Sequence, residues 1–142
     1  MKVKEVMTPR VIRIHPEEPA SVAARTLAHY NIGVLPVCGV DGRLWGMLTD
    51  RDIVTRCLAA GQSAEETKVR QIMTNSVVSV APDTDVGAAA SLMARRQVRR
   101  LPVVENGILC GMLSLADLCR HEGSVPDAAD ALAEISSNVV EW

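Results

Sequence analysis

The chain has 142 residues, about the size of one domain, and apolar residues make up 48% of it. Its 15 Lys and Arg residues nearly balance its 17 Asp and Glu residues, so the net charge is −2. This balance argues against a nucleic-acid-binding or membrane-surface protein, whose basic face would show in the total. The chain has no Phe, one Tyr and two Trp, which leaves little material for stacking on nucleic-acid bases. We expect neither nucleic acid nor a membrane as a partner.

Signals for targeting and for metal binding are weak. No run approaches the roughly 18 apolar residues that a membrane-spanning helix needs. The four cysteines lack Cys-x-x-Cys spacing, which predicts unbridged thiols in a reducing compartment, so we expect a cytoplasmic protein. Cys110, Cys119 and His121 come nearest to a metal cluster, but a strand thiol and two helix residues explain them more simply. We expect no metal site.

The sequence contains two copies of one repeat of about 60 residues. The matching segments are Val3–Thr8 with Val69–Thr74 and Leu35–Val37 with Leu101–Val103, both 66 residues apart, and Gly46–Thr49 with Gly111–Ser114, 65 residues apart. The second repeat is one residue shorter between the last two pairs of segments, at a place where a shorter hairpin turn accounts for the difference. We therefore predict a first repeat over residues 1–60, a linker over 61–68, a second repeat over 69–121, and an acidic C-terminal helix or tail over 122–142.

Each repeat begins with the same two predicted elements. A short extended run covers Val11–Ile14 in the first repeat and Val77–Val80 in the second, and each run ends near a proline. An Ala-rich amphipathic helix follows, over about residues 20–30 and 86–96.

A hairpin and a second helix complete each repeat. Two apolar strands flank Asp41-Gly42 in the first repeat and Asn106-Gly107 in the second, and both dipeptides are typical of tight hairpins. The second helices are predicted over about residues 50–59 and 114–121. A β-α-β-β-α repeat of this size cannot cover both faces of its own sheet. We therefore predict an α/β (α+β) fold in which the two repeats pack with pseudo-twofold symmetry.

Residues 122–142 lie outside the repeats and carry five acidic residues without a Lys or Arg. Pro126, just inside a start at Ser124 or Val125, predicts a terminal helix with Leu132 and Ile135 on its apolar edge. We expect this tail to be dispensable for ligand binding, because it offers a phosphate only negative charge.

The repeated motifs resemble the cystathionine-β-synthase (CBS) domain, in the tandem arrangement called a Bateman module. The matching segments are the Met-Thr pair that starts each repeat, Leu-Pro-Val before each hairpin, and Gly-Met-Leu-Thr or Gly-Met-Leu-Ser at its end, over about residues 3–120. The resemblance implies a regulatory module that binds an adenosine-containing ligand in clefts between the repeats. The ligands it implies are AMP, ADP or ATP and, less often, NAD or S-adenosylmethionine.

The resemblance also implies a homodimer, in which the second helices of the repeats meet the same surface of another chain. The sequence gives these helices apolar residues that need a partner, namely Ile53, Val54, Leu58, Leu115 and Leu118.

Two hydroxyl–carboxylate pairs mark the junctions between the hairpins and the second helices. They are Thr49 with Asp52 and Ser114 with Asp117. One explanation is a capping box, in which the hydroxyl and the carboxylate satisfy backbone amides at the start of the helix. The other is a nucleotide site, in which a helix start attracts phosphate and the carboxylate accepts the ribose hydroxyls. The resemblance implies the second explanation, and the presence of both residues in both repeats favours it.

The resemblance places the adenine base against the first extended run of the opposite repeat. Val11 and Ile12 then serve the Ser114/Asp117 site, while Val77 and Val78 serve the Thr49/Asp52 site. The alternative is that these four residues only pack in the strand core. Met47 and Met112 lie in the same zone, where their unbranched side chains either adapt to a flat ring or fill gaps.

The segments before the two Leu-Pro-Val motifs differ in charge. The second repeat has Val98, Arg99 and Arg100 where the first has Ile32, Gly33 and Val34. The resemblance places a phosphate-binding cation here. We therefore expect the Ser114/Asp117 site to bind phosphorylated ligands more tightly.

Catalysis has little support in the sequence. There is no GxxxxGK[ST] loop, no GxGxxG motif, and no nucleophile near the three histidines that suggests a triad. We expect a sensor that is not an enzyme, requires no cofactor, and changes its dimer shape or partner contacts when an adenine nucleotide binds. The alternative is a structural adaptor with vestigial clefts that acts through its surface or its acidic tail.

Overall fold

The computed structural model describes residues 1–121 and 125–136. The helices are α1 (Val3–Val6), α2 (Ala20–Tyr30), α3 (Asp50–Ile53), α4 (Val69–Ile72), α5 (Val86–Arg96), α6 (Leu115–Cys119) and α7 (Val125–Ser136), and a π-helical turn covers Val54–Leu58. The strands are β1 (Val34–Cys38), β2 (Leu44–Thr49), β3 (Arg100–Glu105) and β4 (Ile108–Ser114). This mixture of helices and small sheets confirms the predicted fold class.

The Ala-rich helices lie where the apolar periodicity predicts them. α2 ends at Asn31 and α5 at Gln97, and both capping residues adopt left-handed backbone conformations with φ of 53° and 57°. Such a residue stops a helix and returns amide hydrogen bonds to its last turn. The two repeats therefore share even the geometry of this helix end.

The two hairpins form separate two-stranded antiparallel sheets, β1–β2 and β3–β4. Leu35 lies opposite Leu48 in the first sheet. Asn106 and Gly107 both have positive φ, as a tight two-residue hairpin turn requires. In the first hairpin only Gly42 has positive φ, and a register shift after Val37 accommodates a longer turn.

Two predicted elements differ from the structure. The runs at Val11–Ile14 and Val77–Val80 do not form strands, and each contributes one parallel pair, Ile14 with Val37 and Val80 with Val103. A proline two residues later, which has no amide hydrogen to donate, ends each pairing. The second helix of the first repeat is also not one α-helix, because α3 ends at Ile53 and the π-helical turn continues it.

The described chain forms two compact units that exchange the beginnings of the repeats. Unit 1 contains residues 1–11, 78–106 and 110–121 together with α7, and unit 2 contains residues 12–77 and 107–109. Each unit therefore joins the first segment of one repeat to the helices and hairpin of the other. The repeat boundaries themselves stay a prediction from the sequence.

Each unit has its own aliphatic core. Met93, Leu101, Leu113 and Leu118 are fully buried in the core of unit 1. The core of unit 2 contains the fully buried residues Leu35, Val37, Leu48, Cys57 and Val69. Aliphatic packing thus replaces the aromatic residues that this sequence lacks.

A pair of backbone hydrogen bonds ties each Met-Thr segment to the hairpin of the other repeat. In unit 1, the Thr8 amide donates to the Met112 carbonyl at 2.8 Å, and the Met112 amide donates to the Thr8 carbonyl at 3.0 Å. In unit 2, Thr74 and Met47 exchange the same two bonds, both at 2.9 Å.

Glycine beside each pair permits this approach. A Cβ atom on Gly111 would lie 2.6 Å from the Thr8 carbonyl oxygen, and one on Gly46 would lie 2.5 Å from that of Thr74. The glycine of the Gly-Met-Leu motif is therefore required sterically in both repeats.

The C-terminal helix α7 packs on α5 and α6. It buries Ala128, Ala131 and Ile135, whereas Leu132 is exposed, so the predicted apolar edge is wrong at Leu132. Ser124, one of the two predicted start residues, lies outside the described residues. Ile53 is buried in unit 2, and Leu115 and Leu118 are buried in unit 1, so these three residues do not form the open dimer face that the sequence suggested.

Within the described part of the chain, the helices are too short and too polar to span a membrane.

Alanine at Gly46 or Gly111 should destabilise the protein by about 1–3 kcal/mol, because the new Cβ meets a backbone oxygen that cannot move without breaking the paired bonds. Urea unfolding monitored by circular dichroism measures this loss. Gly87→Ala in α5 is the control, since its Cβ would meet Asp127 at an ordinary 3.7 Å. It should stabilise the helix by about 0.5–1 kcal/mol. Equal effects at all three positions would contradict the steric explanation.

Candidate functional site

The hydroxyl–carboxylate pair of unit 2 forms a reciprocal cap at the start of α3. The Asp52 amide donates to Thr49 Oγ1 at 3.1 Å, and the Thr49 amide donates to Asp52 Oδ2 at 3.0 Å. The extended backbone of Thr49 turns directly into the helix at Asp50. The capping explanation of this motif is therefore correct as a description of the structure.

Unit 1 repeats the arrangement at the start of α6. The Asp117 amide donates to Ser114 Oγ at 3.0 Å, and the Ser114 amide donates to Asp117 Oδ2 at 2.8 Å. Both carboxylates are buried, with Asp52 8% and Asp117 4% exposed. A buried carboxylate needs such hydrogen bonds to compensate for its lost hydration.

The caps leave part of each pair unused. A hydroxyl that accepts a bond from an amide still has its own hydrogen to donate. Each carboxylate uses Oδ2 for the cap and keeps Oδ1 for another partner. Capping and ligand binding are therefore compatible, since the cap fixes the orientation of the two groups without consuming them.

The two Oδ1 atoms have different surroundings. Asp117 Oδ1 accepts hydrogen bonds from the Arg120 guanidinium and, at 3.4 Å, from Thr8 Oγ1. Asp52 Oδ1 lies 3.8 Å from Arg56 Nε, beyond hydrogen-bond distance. The Arg56 guanidinium instead donates to the carbonyls of Ile72 and Met73 at 3.3 and 3.2 Å.

Sequence analysis missed Thr8, Arg56 and Arg120 as neighbours of these carboxylates. The sequence contains a signal for Thr8, because the Met-Thr pair recurs at the start of the second repeat. A segment that occurs in both repeats is expected to make an equivalent contact in each. Arg56 and Arg120 lie four and three residues after their aspartates, which is the spacing of an ion pair on a helix.

Arg99 and Gly33 occupy equivalent places beside the caps. The Arg99 carbonyl accepts from the Leu115 amide at 3.0 Å, and the Gly33 carbonyl accepts from the Asp50 amide at 3.1 Å. Each residue is therefore hydrogen-bonded, through its backbone carbonyl, to the residue that directly follows the capping serine or threonine. Arg99 is exposed at this junction.

The other predicted site residues fall into three groups. Met47 and Met112 are half-buried and form the paired bonds to the Met-Thr segments. By the unit boundaries, Val11 belongs to unit 1 with Ser114 and Asp117, and Val77 belongs to unit 2 with Thr49 and Asp52. The remaining residues are Ile12 and Val78, which belong to the opposite units, Ile32 and Arg100, which are exposed, and Val98, which packs on the core of unit 1.

The two sites differ in charge. The site in unit 1 has Arg120 on Asp117, and Arg99 bonded through its carbonyl to Leu115, which directly follows the capping serine. The site in unit 2 has the uncharged Gly33 and an additional carboxylate, Asp50, directly after the capping threonine. Arg56 lies beside Asp52 as Arg120 lies beside Asp117, so the two junctions differ in charge by Arg99 against Gly33 and by Leu115 against Asp50.

Among residues 1–121 and 125–136, no group of three or more His, Cys, Asp or Glu side chains is arranged to hold a metal ion.

The fold and the repeated caps define a tandem pair of small α+β modules, each with a capped junction between its hairpin and its second helix. The CBS domain model matches the chain twice, over residues 3–59 and 69–124, and the chain belongs to the CBS-domain family. Among its relatives, CBS domain-containing protein YhcV of Bacillus subtilis is 39% identical over 134 residues, which is 94% of each chain. Hypoxic response protein 1 of Mycobacterium tuberculosis is 36% identical over 118 residues, covering 83% of this chain and 82% of the relative.

Solved structures of CBS pairs have the same fold. Hypoxic Response Protein I, crystallised with two coordinated zinc ions, matches with a TM-score of 0.79 and 34% identity over 85% of this chain and 98% of that one. The CBS domain pair of protein MJ0100, crystallised with 5′-methylthioadenosine and S-adenosyl-L-methionine, matches with a TM-score of 0.73 and 27% identity. This match covers 84% of our chain and 94% of that structure. The resemblance inferred from the sequence is confirmed.

Ser114→Ala should lower the free energy of unfolding by about 1 kcal/mol, because it removes the acceptor for the Asp117 amide at the start of α6. Ser79→Ala changes an exposed serine in the same unit and should have almost no effect. Thermal or urea unfolding without ligand measures both. A loss at Ser114 no larger than that at Ser79 would show that the cap contributes nothing to stability.

Proposed function

We propose that the protein is a regulatory sensor that binds an adenosine-containing ligand at the capped junction of each unit. One observation carries this proposal: in both units the same pair of hydroxyl and buried carboxylate ends the strand that is bonded to the Met-Thr segment of the other repeat. Helix capping alone does not require a segment of the other repeat to bond to that strand. The ligands of the MJ0100 CBS pair, 5′-methylthioadenosine and S-adenosyl-L-methionine, support an adenosyl ligand.

Each chemical group in the site has a proposed role. The Asp52 or Asp117 carboxylate accepts the two ribose hydroxyls, and the Thr49 or Ser114 hydroxyl donates to the ribose or to phosphate. In unit 1 the ribose replaces Arg120 at Oδ1 of Asp117. The adenine lies against the extended run of the opposite repeat. This run contributes Val11 and Ile12 to the Ser114/Asp117 site, and Val77 and Val78 to the Thr49/Asp52 site.

We propose AMP, ADP or ATP as the ligand, with NAD and S-adenosylmethionine as less favoured candidates. The positive charge of Arg99 and Arg120 beside Asp117 supports a phosphorylated ligand in unit 1. Arg100, which begins β3, is a further cation close to this junction. The site in unit 2 has Arg56 beside Asp52, but it has Gly33 in place of Arg99 and the added carboxylate of Asp50, so we assign it the weaker affinity for phosphate.

The protein acts, in this proposal, as a binding module in the cytoplasm, without catalysis and without a required cofactor or metal. Its ligand changes the contacts that it makes with a partner protein. The second candidate is a structural adaptor, and one observation favours it: the caps account for the hydroxyls and carboxylates without any ligand.

The protein pairs, in this proposal, with a second copy through unit 2. Val54 is 55% and Leu58 59% exposed, and both lie on the π-helical turn that follows α3. Exposed apolar residues grouped in this way are typical of an interface.

Calorimetric titration with AMP, ATP, NAD and S-adenosylmethionine tests the ligand proposal. Asp117→Ala and Arg99→Ala should each weaken the tightest binding event by about tenfold or more, because each removes a charge-assisted hydrogen bond worth about 1.5–3 kcal/mol. Asp52→Ala should leave that event unchanged. Arg96→Ala is the control, since it removes an exposed arginine at the end of α5.

If Asp52→Ala removes the tight event, the assignment of the two sites is reversed. If the folded wild-type protein binds none of the four compounds at millimolar concentration, the adaptor function replaces the sensor function.

Val54→Asp should convert a dimer into a monomer, because it places a charge in the middle of the proposed apolar interface. Light scattering should give twice the chain mass of 15.3 kDa for the wild type and that mass for the variant. Val40→Asp is the matched control, since Val40 is 96% exposed in the turn between β1 and β2. A monomeric wild type at micromolar concentration would contradict the proposal.

A further inference from the structure

The two buried carboxylates differ in what occupies their second oxygen. Asp117 Oδ1 accepts hydrogen bonds from the Arg120 guanidinium and the Thr8 hydroxyl. Asp52 Oδ1 accepts none within the described part of the chain, where Arg56 Nε lies 3.8 Å away. Every buried side-chain N or O atom among the described residues has a hydrogen-bond partner, so Asp52 Oδ1 is open to solvent. The oxygen assigned above to the ribose is therefore occupied in unit 1 and open in unit 2.

The difference follows from the position of each arginine. Arg120 is the residue at which α6 ends, three positions after Asp117, and its guanidinium contacts that carboxylate. Arg56 lies four positions after Asp52, within the π-helical turn, and its guanidinium donates to two backbone carbonyls at the end of α4. Backbone carbonyls therefore hold the arginine of unit 2, whereas in unit 1 the site carboxylate itself holds the arginine.

Arg120 and a ribose compete for the same atom. Both bring hydrogen-bond donors to a carboxylate, and the guanidinium adds a positive charge. Asp117 Oδ1 already accepts two bonds, which uses both of its lone pairs, and Oδ2 accepts from the Ser114 amide. A ribose that bonds to Oδ1 therefore has to displace the guanidinium. Binding in unit 1 breaks an ion pair that binding in unit 2 does not.

The Arg120 side chain can leave without opening the core. It is 65% exposed, whereas the Asp117 side chain is 5% exposed, so the released guanidinium returns to water. A phosphate on the ligand offers this guanidinium a new anionic partner, and a ligand without phosphate offers none. Every adenosyl ligand thus loses the same amount of affinity to the ion pair, and only a phosphorylated ligand recovers part of it.

We propose that Arg120 is a specificity-determining residue of unit 1. It occupies the ribose position on Asp117 in the ligand-free protein, and it thereby disfavours adenosyl ligands that lack a phosphate. Asp52 has no such competitor among the described residues, so unit 2 discriminates less between the two kinds of ligand. This inference rests on the adenosyl sensor proposed above and specifies which ligands unit 1 selects.

Two parent variants separate the sites for the test. Asp52→Ala leaves the carboxylate of unit 1 alone, and Asp117→Ala leaves that of unit 2 alone. Calorimetric titration with adenosine and with AMP, which differ by the phosphate, then measures the affinity of each site for each compound. Adenosine carries no charge, so its affinity reports the competition for the carboxylate without any attraction of phosphate.

In the Asp52→Ala parent, Arg120→Ala should tighten adenosine binding by about three- to tenfold, because a competing group reduces the apparent affinity by the fraction of time for which it occupies the site. AMP should gain less, because the variant also removes a cation that attracts its phosphate. A variant that merely damaged the unit would bind both compounds more weakly. Arg96→Ala, which removes an exposed arginine of the same unit, is the control and should change neither affinity.

Arg56→Ala in the Asp117→Ala parent is the matched contrast. It should not tighten adenosine binding, because Arg56 lies on backbone carbonyls and leaves Asp52 Oδ1 open. Three results would overturn the proposal: equal tightening by both arginine variants, no tightening of adenosine by Arg120→Ala, or equal gains for AMP and adenosine. If the folded wild-type protein binds neither compound, the proposed adenine-nucleotide sensor is contradicted instead.

Salt tests the same competition without a substitution at Arg120. Raising the ionic strength from about 0.1 M to about 1 M shortens the screening length from about 10 Å to about 3 Å and weakens a partly exposed ion pair. Adenosine binding should therefore tighten with salt in the Asp52→Ala parent. The Asp117→Ala parent should lack this response, and comparing the two removes any effect of salt on adenosine itself. An equal salt response in both parents would overturn the proposal.

Discussion

The exchange of two backbone hydrogen bonds between a Met-Thr segment and a Gly-Met-Leu strand determines the organisation of this protein. Thr8 pairs with Met112 and Thr74 with Met47, so each repeat completes the compact unit of the other. The pairing depends on Gly46 and Gly111, because any larger residue would meet a carbonyl oxygen. In unit 1 the same contact brings Thr8 to Asp117. The contact that completes each unit therefore also lies on the strand that leads into its candidate site.

Much of the fold was predictable because the sequence repeats its local signals. The apolar periodicity of α2 and α5 and the Asn106-Gly107 turn each specify a structure over a few residues. The extended runs were harder, since a segment that makes a single parallel pair has the same apolar composition as a strand. The π-helical turn has no sequence signature comparable to a cap. The cover that α7 gives to Leu115 and Leu118 depends on packing between distant segments, which composition does not specify.

The candidate site was predictable in its residues but not in its internal bonding. Sequence reasoning placed Thr49, Asp52, Ser114 and Asp117 at hairpin ends and gave two explanations for them. The structure confirms the capping explanation, in which each carboxylate uses only Oδ2, while Oδ1 of Asp117 accepts from Arg120 and Thr8. The arginine that engages Asp117 was missed because it follows the motif on the same helix and has no counterpart at the same spacing in the other repeat.

The capping role of the candidate site residues has a consequence for how this chain can change over generations. A substitution of Ser114 costs about 1 kcal/mol of folding stability whether or not a ligand exists. For a marginally stable domain this loss reduces the amount of folded protein in the cell. Selection for folding alone would therefore preserve the side chains of the site long after a ligand had ceased to matter. A lineage that had lost its effector would keep most of the machinery needed to acquire another.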